Sequence, residues 1–411
     1  MTLRTVNYHY RHRQEGVRAG MGLFLQECCL AVVSDKGGVT QKRFEILLYM
    51  IDFSKIPSPC FLLEEKALLD NLAVIDRVRR EAGVEIIVAL KACAMWSIFP
   101  TLAEHSDGAT ASSVAEARLV YEEYGQRAHT YAPVYTNADF EELVKYSDYI
   151  TFNSMTQFER FGARAMLNGI SCGLRVNPQY STVETDLYNP ASPDSRLGIP
   201  AEHLKELPAG VEGLHFHTLC ESRPDDLRGT LVALIEKFGH LLPQVKWLNM
   251  GGGHLMTAAD YDEDELIAIL REFRAKYPNL RIILEPGSAF TWRTGYLVFT
   301  IEDIVSNGGV NTLMLDVSFA CHMPDTLEMP YKPEVRGAHN PKPGEKRWRI
   351  GGNSCLAGDY IGDWTFDREP KTGDRLIFED MIHYTMVKTT MFNGVSHPSI
   401  AILRPNGTFD I

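Results

Sequence analysis

Residues 85–91 read EIIVALK: five apolar residues, mostly β-branched, bracketed by an acid and a lysine. A run this short and this apolar is a strand buried on both faces, as the inside of a parallel sheet or barrel requires. Comparable runs occur at residues 129–132, 149–152, 173–176, 213–216, 246–250 and 281–284, with amphipathic segments between them. Within residues 113–124, Val114, Ala117, Tyr121 and Tyr124 fall on one helical face, and Ser113 with Glu116 has capping-box spacing. Leu266, Ile269, Leu270, Phe273 and Tyr277 mark a later helix, which Pro278 closes. Alternation of strands and helices over roughly 230 residues predicts an α/β fold, a (β/α)8 barrel. It is expected to span residues 66–295. The texture then changes: YLVFTIEDIV, TLMLDVS, RWRIGG, DRLIFED and SIAIL are short strands parted by Gly, Pro and Asp turns, which predicts an all-β domain over residues 296–411. Residues 59–63 are also strand-like, so the leading segment 50–65 is expected to join that β domain.

Composition narrows the function. Of the 411 residues, 45% are hydrophobic and 23% charged, an ordinary globular balance that removes the disordered and fibrous classes. A formal net charge of −12 argues against a general nucleic-acid binder, which needs a basic face to neutralise phosphates. The eight cysteines show no C-x-x-C pair and no zinc-ligand spacing, so no metal is expected and reduced thiols in the cytoplasm are the natural reading. No apolar run approaches the length of a membrane span. Residues 1–49 differ from the rest. Arg4, Arg11, Arg13 and Arg18 precede an apolar stretch at 21–33 that superficially suggests a signal peptide, but Glu27 interrupts it and no small-residue cleavage site follows. Met50 opens sequence of normal globular texture, so residues 1–49 are expected to lie outside the fold.

Reactive residues fall at the ends of the predicted strands, where barrel enzymes place their chemistry. Lys91 follows VEIIVAL, Arg175 ends CGLR, His217 ends GLHFH, Gly251, Gly252 and Gly253 follow VKWLNM, and Glu285 follows LRIIL. A lysine at the end of a buried strand loses charge and becomes a nucleophile, the state that Schiff-base formation needs. Alone, it would more often be a lysine reaching for solvent at the rim. Three glycines after a barrel strand leave backbone amides open to an anion, where a lone triplet would be a turn. Glu285 is held by the tight Pro286-Gly287 turn, and a carboxylate beside a pyridine nitrogen keeps that nitrogen protonated, an electron sink for a carbanion. The ordinary alternative is a capping or ion-paired acid. His217 is suited to stack on a flat ring. His215, two residues earlier and on the same side of the strand, reads as a core histidine.

Taken in order, VALKA (Lys91), LRVNP (Arg175), HFHTLCE (His217), GGGH, EPG, CLAGD (Cys355, Asp359) and HYTMVKTTMFNG (Tyr384) resemble the fold III, alanine-racemase-like decarboxylases that use pyridoxal 5'-phosphate (PLP). The likeness covers about residue 56 to the end. It implies that Lys91 holds PLP, His217 stacks on its ring, the glycine loop with Gly287 and Tyr384 secures the phosphate end, and Glu285 meets the pyridine nitrogen. It further implies a homodimer in which Cys355 and Asp359 reach the other subunit's barrel, with the Cys355 thiol as proton donor to the α-carbon. Racemases of the same fold typically set an arginine against the pyridine nitrogen, so Glu285 favours loss of carbon dioxide. Within the family, Leu356 stands where ornithine decarboxylases carry aspartate and diaminopimelate decarboxylases glutamate, and Ser288-Ala289-Phe290 follows EPG in place of an arginine. The HFHTLCE and CLAGD forms look most like the carboxynorspermidine/carboxyspermidine branch. That implies a cationic carboxypolyamine substrate, with Arg175, Glu221, Asp359 and Cys355 as candidate contacts.

Overall fold

The computed structural model describes residues 51–411, so the expectation for residues 1–49 lies outside the described residues. β1 (Cys60–Glu64) runs into α1 (Glu65–Ala82), which ends where Gly83 turns left-handed at φ 66° and donates to the Arg79 carbonyl. EIIVALK then forms one stave, divided at Ile87 into β2 (Glu85–Ile86) and β3 (Val88–Ala89). Parallel strands follow: β4 (Ala109–Ala111), β5 (Ala128–Tyr131), β6 (Ser147–Phe152), β7 (Ser171–Arg175), β8 (Val211–His215), β9 (Trp247–Asn249) and β10 (Arg281–Leu284). The order β2-β10-β9-β8-β7-β6-β5-β4-β3 closes the sheet, because its two ends are halves of one stave. Counting that stave once leaves eight, the barrel expected from the alternation.

Outside lie α2 (Phe99–Glu104), α3 (Val114–Leu119), α4 (Asn137–Tyr146), α5 (Met155–Leu167), α6 (Pro224–Phe238), α7 (Glu263–Lys276) and α8 (Ser288–Thr291). Three details depart from the expectation. β4, Ala-Thr-Ala, is too short and too weakly hydrophobic to stand out as a strand. Residues 176–210, between β7 and β8, carry two 3-10 turns and no α-helix. The helix read over 113–124 is α-helical only to Leu119 and continues as a π-helical turn, Val120–Tyr124. The wider turn advances the buried face, so Val120 and Tyr124 point inward and Tyr121 is 50% exposed. The capping box is displaced as well. Ser113 Oγ accepts the Glu116 amide at 3.1 Å, but the Glu116 carboxylate takes the amide of Ser112, not of Ser113, at 2.6 Å.

The second sheet is built on the long β11 (Gly295–Asn307), with β12 (Val310–Leu315), β14 (Trp348–Gly351) and β15 (Tyr360–Phe366) to one side and the short β13 (Ala338–His339) at the edge. β16 (Arg375–Glu379) pairs with β11. β1 inserts between β11, antiparallel, and β17 (Ser399–Leu403), parallel, and β18 (Phe409–Asp410) finishes the sheet. The chain's first described strand therefore belongs to its last sheet. Hydrophobic contacts run from Leu68 and Leu72 of α1 through the barrel wall to Phe299, Phe319 and Phe378 of the β domain without a break.

Candidate active site

Residues two apart on a strand share a face, so each stave sends every second side chain into the lumen. At the amino-terminal end of the barrel this produces an apolar plug of Ile87, Trp247 and Ile283 with Tyr149 against it. Gly173 and Gly213 make room for the plug: a Cβ on either would stand 2.2 and 2.0 Å from the Trp247 ring. One step toward the carboxyl end the same alternation presents Tyr131, Arg175, His215, Asn249 and Glu285, and one further step brings Lys91, His217 and Gly251. An apolar floor below and a polar cup above is the arrangement that eight parallel strands of this pattern enforce.

Lys91 Nζ lies 3.5 Å from His217 Nε2. Lys91 remains open to solvent at the barrel mouth. The surrounding protein still lowers its pKa, chiefly by burial, with Arg175 assisting and Glu285 opposing. His217 Nδ1 accepts the Gly252 amide at 3.1 Å, which assigns the imidazole proton to Nε2, facing the lysine. Burial, then the cations Lys91 and Arg175, push the His217 pKa well below its ordinary value. A neutral imidazole with its Nε2 proton facing the lysine is the state that this hydrogen bond and this shift support.

Glu285 is gripped from two sides. Asn249 Nδ2 donates to Oε1 at 2.6 Å, and His215 Nε2 lies 3.7 Å from Oε2. Burial alone would raise this carboxyl, but His215 and Asn249 outweigh it and hold the pKa at about 2. Asn249 also accepts the Gly251 amide at 2.9 Å, while the Glu285 amide donates to the Gly251 carbonyl at 2.8 Å. The acid and the glycine loop are therefore one hydrogen-bonded unit. A Cβ at Gly252 would stand 2.4 Å from the Glu285 carbonyl, so the loop is kept bare of side chains where it crosses the acid. At Gly287 a Cβ would meet Ala92 at 2.5 Å, which places the EPG turn against the residue after Lys91.

The remaining residues singled out in the sequence take two positions. Arg175 is 3% exposed, donates to the His217 carbonyl at 3.3 Å and lies 4.6 Å above the Tyr131 ring. Glu221 sits on the β8 loop with a left-handed φ of 47° and is accessible at the mouth. The protein around it raises its carboxyl pKa, chiefly by burial, with His383 opposing and Asp380 adding. Tyr384 is 37% exposed, and burial, with the nearby Cys220 and Glu221 adding, raises its phenol. Cys355 and Asp359 lie apart, in the loop before β15, and no described contact joins them to Lys91, His217 or Glu285 of the same chain. The Cys355 thiol is exposed, and its amide donates to Asn393 Oδ1 at 2.9 Å. Asp359, read as an amine-binding acid, is 5% exposed, with both oxygens turned to backbone. Oδ1 accepts the amides of Phe319 and Ala320 at 2.7 and 3.0 Å, and Oδ2 that of Ser354 at 3.0 Å.

The sequence pattern does not single out Asn249 or Tyr131, and it reads His215 as a core histidine. The signal for Asn249 was its register, an amide two residues before the first loop glycine on an otherwise apolar strand.

A lysine amine, an ionised carboxylate, a neutral imidazole and a glycine loop without side chains thus meet at one end of the lumen. The family model described as pyridoxal-dependent decarboxylase, C-terminal sheet domain, matches residues 48–382, and the chain belongs to that family. It is an enzyme, a decarboxylase whose cofactor is PLP. The chain is 51% identical over 359 residues to carboxyaminopropylagmatine decarboxylase of Synechocystis sp., covering 87% of this chain and 93% of the relative. It is 39% identical over 363 residues to the carboxynorspermidine/carboxyspermidine decarboxylase of Campylobacter jejuni, covering 85% and 94%. The crystal structure of the Campylobacter jejuni carboxynorspermidine decarboxylase complexed with norspermidine superposes with a TM-score of 0.79 at 36% identity, covering 87% of this chain and 96% of that one. Among the described residues no helix is long and apolar enough to cross a membrane.

Proposed function

We propose that this enzyme removes the α-carboxylate of an amine bearing a 3-amino-3-carboxypropyl group, with carboxynorspermidine and carboxyspermidine as substrates in polyamine biosynthesis. The observation that carries the reading is the convergence of Lys91, Glu285 and the glycine loop at one end of the lumen, with Glu285 held ionised. PLP bound on Lys91 supplies the sink for the electron pair left when the carbon–carboxylate bond breaks. Each side chain then has one role. Glu285 would keep a negative charge at the pyridine nitrogen, His217 would pack on the ring face, and residues 251–253 with Gly287 and Tyr384 would hold the phosphate end. Arg175 and Glu221 orient the substrate's charged groups. Cys355, from a second copy of the chain, delivers the proton to the α-carbon. Leu356 beside it offers no charge to a short diamino acid such as ornithine or diaminopimelate.

The 51% identity to an enzyme named for carboxyaminopropylagmatine supports a second reading of the far end of the substrate. All three compounds share the carboxyaminopropyl head; carboxynorspermidine and carboxyspermidine end in an ammonium and differ by one methylene, whereas the agmatine derivative ends in a guanidinium. We infer a preference for the guanidinium, from the higher identity to that relative.

We also place the enzyme in the cytoplasm as a homodimer with shared sites. Leu356, Tyr360, Met391 and Phe392 support the dimer: all are exposed apolar residues grouped around the Cys355 loop. The described cysteines are free thiols, which supports a reducing compartment.

The test is a side-by-side measurement of kcat/KM for carboxynorspermidine, carboxyspermidine, carboxyaminopropylagmatine, ornithine and meso-diaminopimelate. The three carboxyaminopropyl compounds are expected to exceed the two amino acids by at least about 100-fold, since an unpaired buried charge discriminates far better than a missing methylene. Ornithine or diaminopimelate in first place overturns the substrate class, and an ammonium-ended compound ahead of the agmatine derivative overturns the preference.

A further inference from the structure

His215 has no ordinary reason to be where it is. It is 2% exposed in the barrel lumen, and neither ring nitrogen has a hydrogen-bond partner among the described residues. A buried imidazole with both nitrogens unpaired is costly, and few native groups are left that way. An apolar side chain would fill the space with less penalty. Its edge is aimed at one group: Nε2 stands 3.7 Å from Glu285 Oε2, a few tenths of an ångström beyond a hydrogen bond, a gap that a small tilt of the ring closes.

The ring is also held in that aim. Tyr131 leans against it, with centroids 5.4 Å apart and planes 31° apart. Tyr131 is pinned in turn by its hydroxyl, which donates to Asn153 Oδ1 at 2.8 Å, and by Arg175, 4.6 Å from the ring centroid. The opposite carboxylate oxygen is taken by Asn249 at 2.6 Å. Glu285 is thus clamped between an amide donor and an imidazole edge, each projecting from the neighbourhood of its own stave.

We propose that His215 is a positioning residue for decarboxylation: as a neutral Nε2–H donor, with Asn249 on the other oxygen, it fixes the Glu285 carboxylate and keeps it anionic against the cofactor's pyridine nitrogen. Neutrality is the essential feature. A cation at this position would cancel the charge that Glu285 presents, whereas a neutral donor stabilises the carboxylate through its dipole and leaves the negative charge in place. Burial lowers the His215 pKa, the direction this role requires. The inference rests on the reading that Glu285 faces the pyridine nitrogen.

Three variants, each reconstituted with 15N-labelled PLP, test it: Glu285→Gln, His215→Leu and His215→Gln. The readouts are the 15N resonance of the bound pyridine nitrogen, the PLP dissociation constant, and kcat and KM taken separately. In His215→Leu the nitrogen resonance is expected to shift from the protonated toward the unprotonated position. Its kcat should fall about ten- to a hundredfold, as when the partner that orients a functional ligand is removed, with KM little changed. PLP binding should weaken. His215→Gln retains an N–H donor of similar reach and is expected to recover most of the resonance position and of kcat. An unmoved nitrogen resonance in His215→Leu overturns the proposal, and so does an equal loss in the Leu and Gln variants, which would make the ring merely structural. Glu285→Gln separates the two levels. If it too leaves the resonance unmoved, the placement of Glu285 fails; if it moves the resonance and His215→Leu does not, only the inference about His215 fails. Should His215→Leu not fold, Asn249→Leu carries the same test on the other oxygen, and an unmoved resonance there overturns the clamp.

Discussion

Asp359 shows how one carboxylate can be read in two ways. Its place in the CLAGD motif beside Cys355 suggests an acid waiting for a substrate amine. Its environment instead gives it three backbone amides, two from the start of the turn at 319–320 and one from Ser354. That geometry ties the Cys355 loop to the β domain. Hydrogen bonds to a buried charge are worth roughly 1.5–3 kcal/mol each and do not add simply. Asp359→Ala is therefore expected to cost on the order of 3 kcal/mol of stability, read as a lower urea midpoint. It should lower kcat alike for long and short substrates. Asp359→Asn, which retains an acceptor for Phe319 and Ala320, should fall between the two. If Asp359→Ala instead leaves the midpoint unchanged and raises KM only for polyamine-ended substrates, Asp359 is an amine-binding residue after all. Glu221, by contrast, is accessible and held at a positive φ that a glutamate adopts only under constraint.

At the scale of elements, the barrel floor depends on a size exchange between neighbouring strands. Trp247 of β9 occupies the volume that Gly173 of β7 and Gly213 of β8 leave open, and its indole nitrogen donates to Ser171 Oγ at 2.9 Å. Adding one methyl at Gly213 leaves the ring nowhere to go, because Ile87 and Ile283 close the other sides. Gly213→Ala is expected to destabilise by about 3 kcal/mol, the upper part of the usual range for overpacking. It should also disturb His215, two residues along the same strand, so PLP affinity should drop with stability in a denaturation and titration series. A variant with wild-type midpoint and affinity would show that the floor is more compliant than its packing indicates. The π-helical turn at Val120–Tyr124 is the other element-scale feature: it buries Tyr124, whose hydroxyl pairs with Ser106, and turns Tyr121 outward.

For the molecule as a whole, the decisive feature is that its reactive residues fall into two groups. Lys91, His217 and Glu285 share the barrel lumen, while Cys355 stands exposed on the β domain, next in sequence to the exposed Leu356. The proposed two-fold dimer, bringing each Cys355 to the other copy's barrel, would complete both sites at once and cover exposed apolar surface. Mixing the Lys91→Ala and Cys355→Ala variants then tests the arrangement. Each homodimer should be inactive or strongly depressed. After subunit exchange, half the dimers carry one intact site out of two, so the mixture should reach about one quarter of wild-type activity. A mixture no more active than the mean of its parents would place both residues in one subunit's site.

The alternation of apolar runs and amphipathic segments was enough to determine the barrel, because side-chain period is a local property that each segment carries by itself. The strand ends carrying Lys91, Arg175, His217, Gly251 and Glu285 were legible for the same reason: the residue after a buried run marks where a strand leaves the core. Tertiary structure decided what local pattern cannot encode. Only the side-by-side pairing of β8, β9 and β10 brings Asn249 and His215 to opposite oxygens of Glu285. Only the folded chain shows Asp359 spent on amides that lie 40 and 39 residues away in sequence, and the first described strand, β1, paired between β11 and β17. These are contacts between distant segments, set by how the strands meet in space and by which buried polar groups must be satisfied there. Neither constraint leaves a trace in the period of any single run.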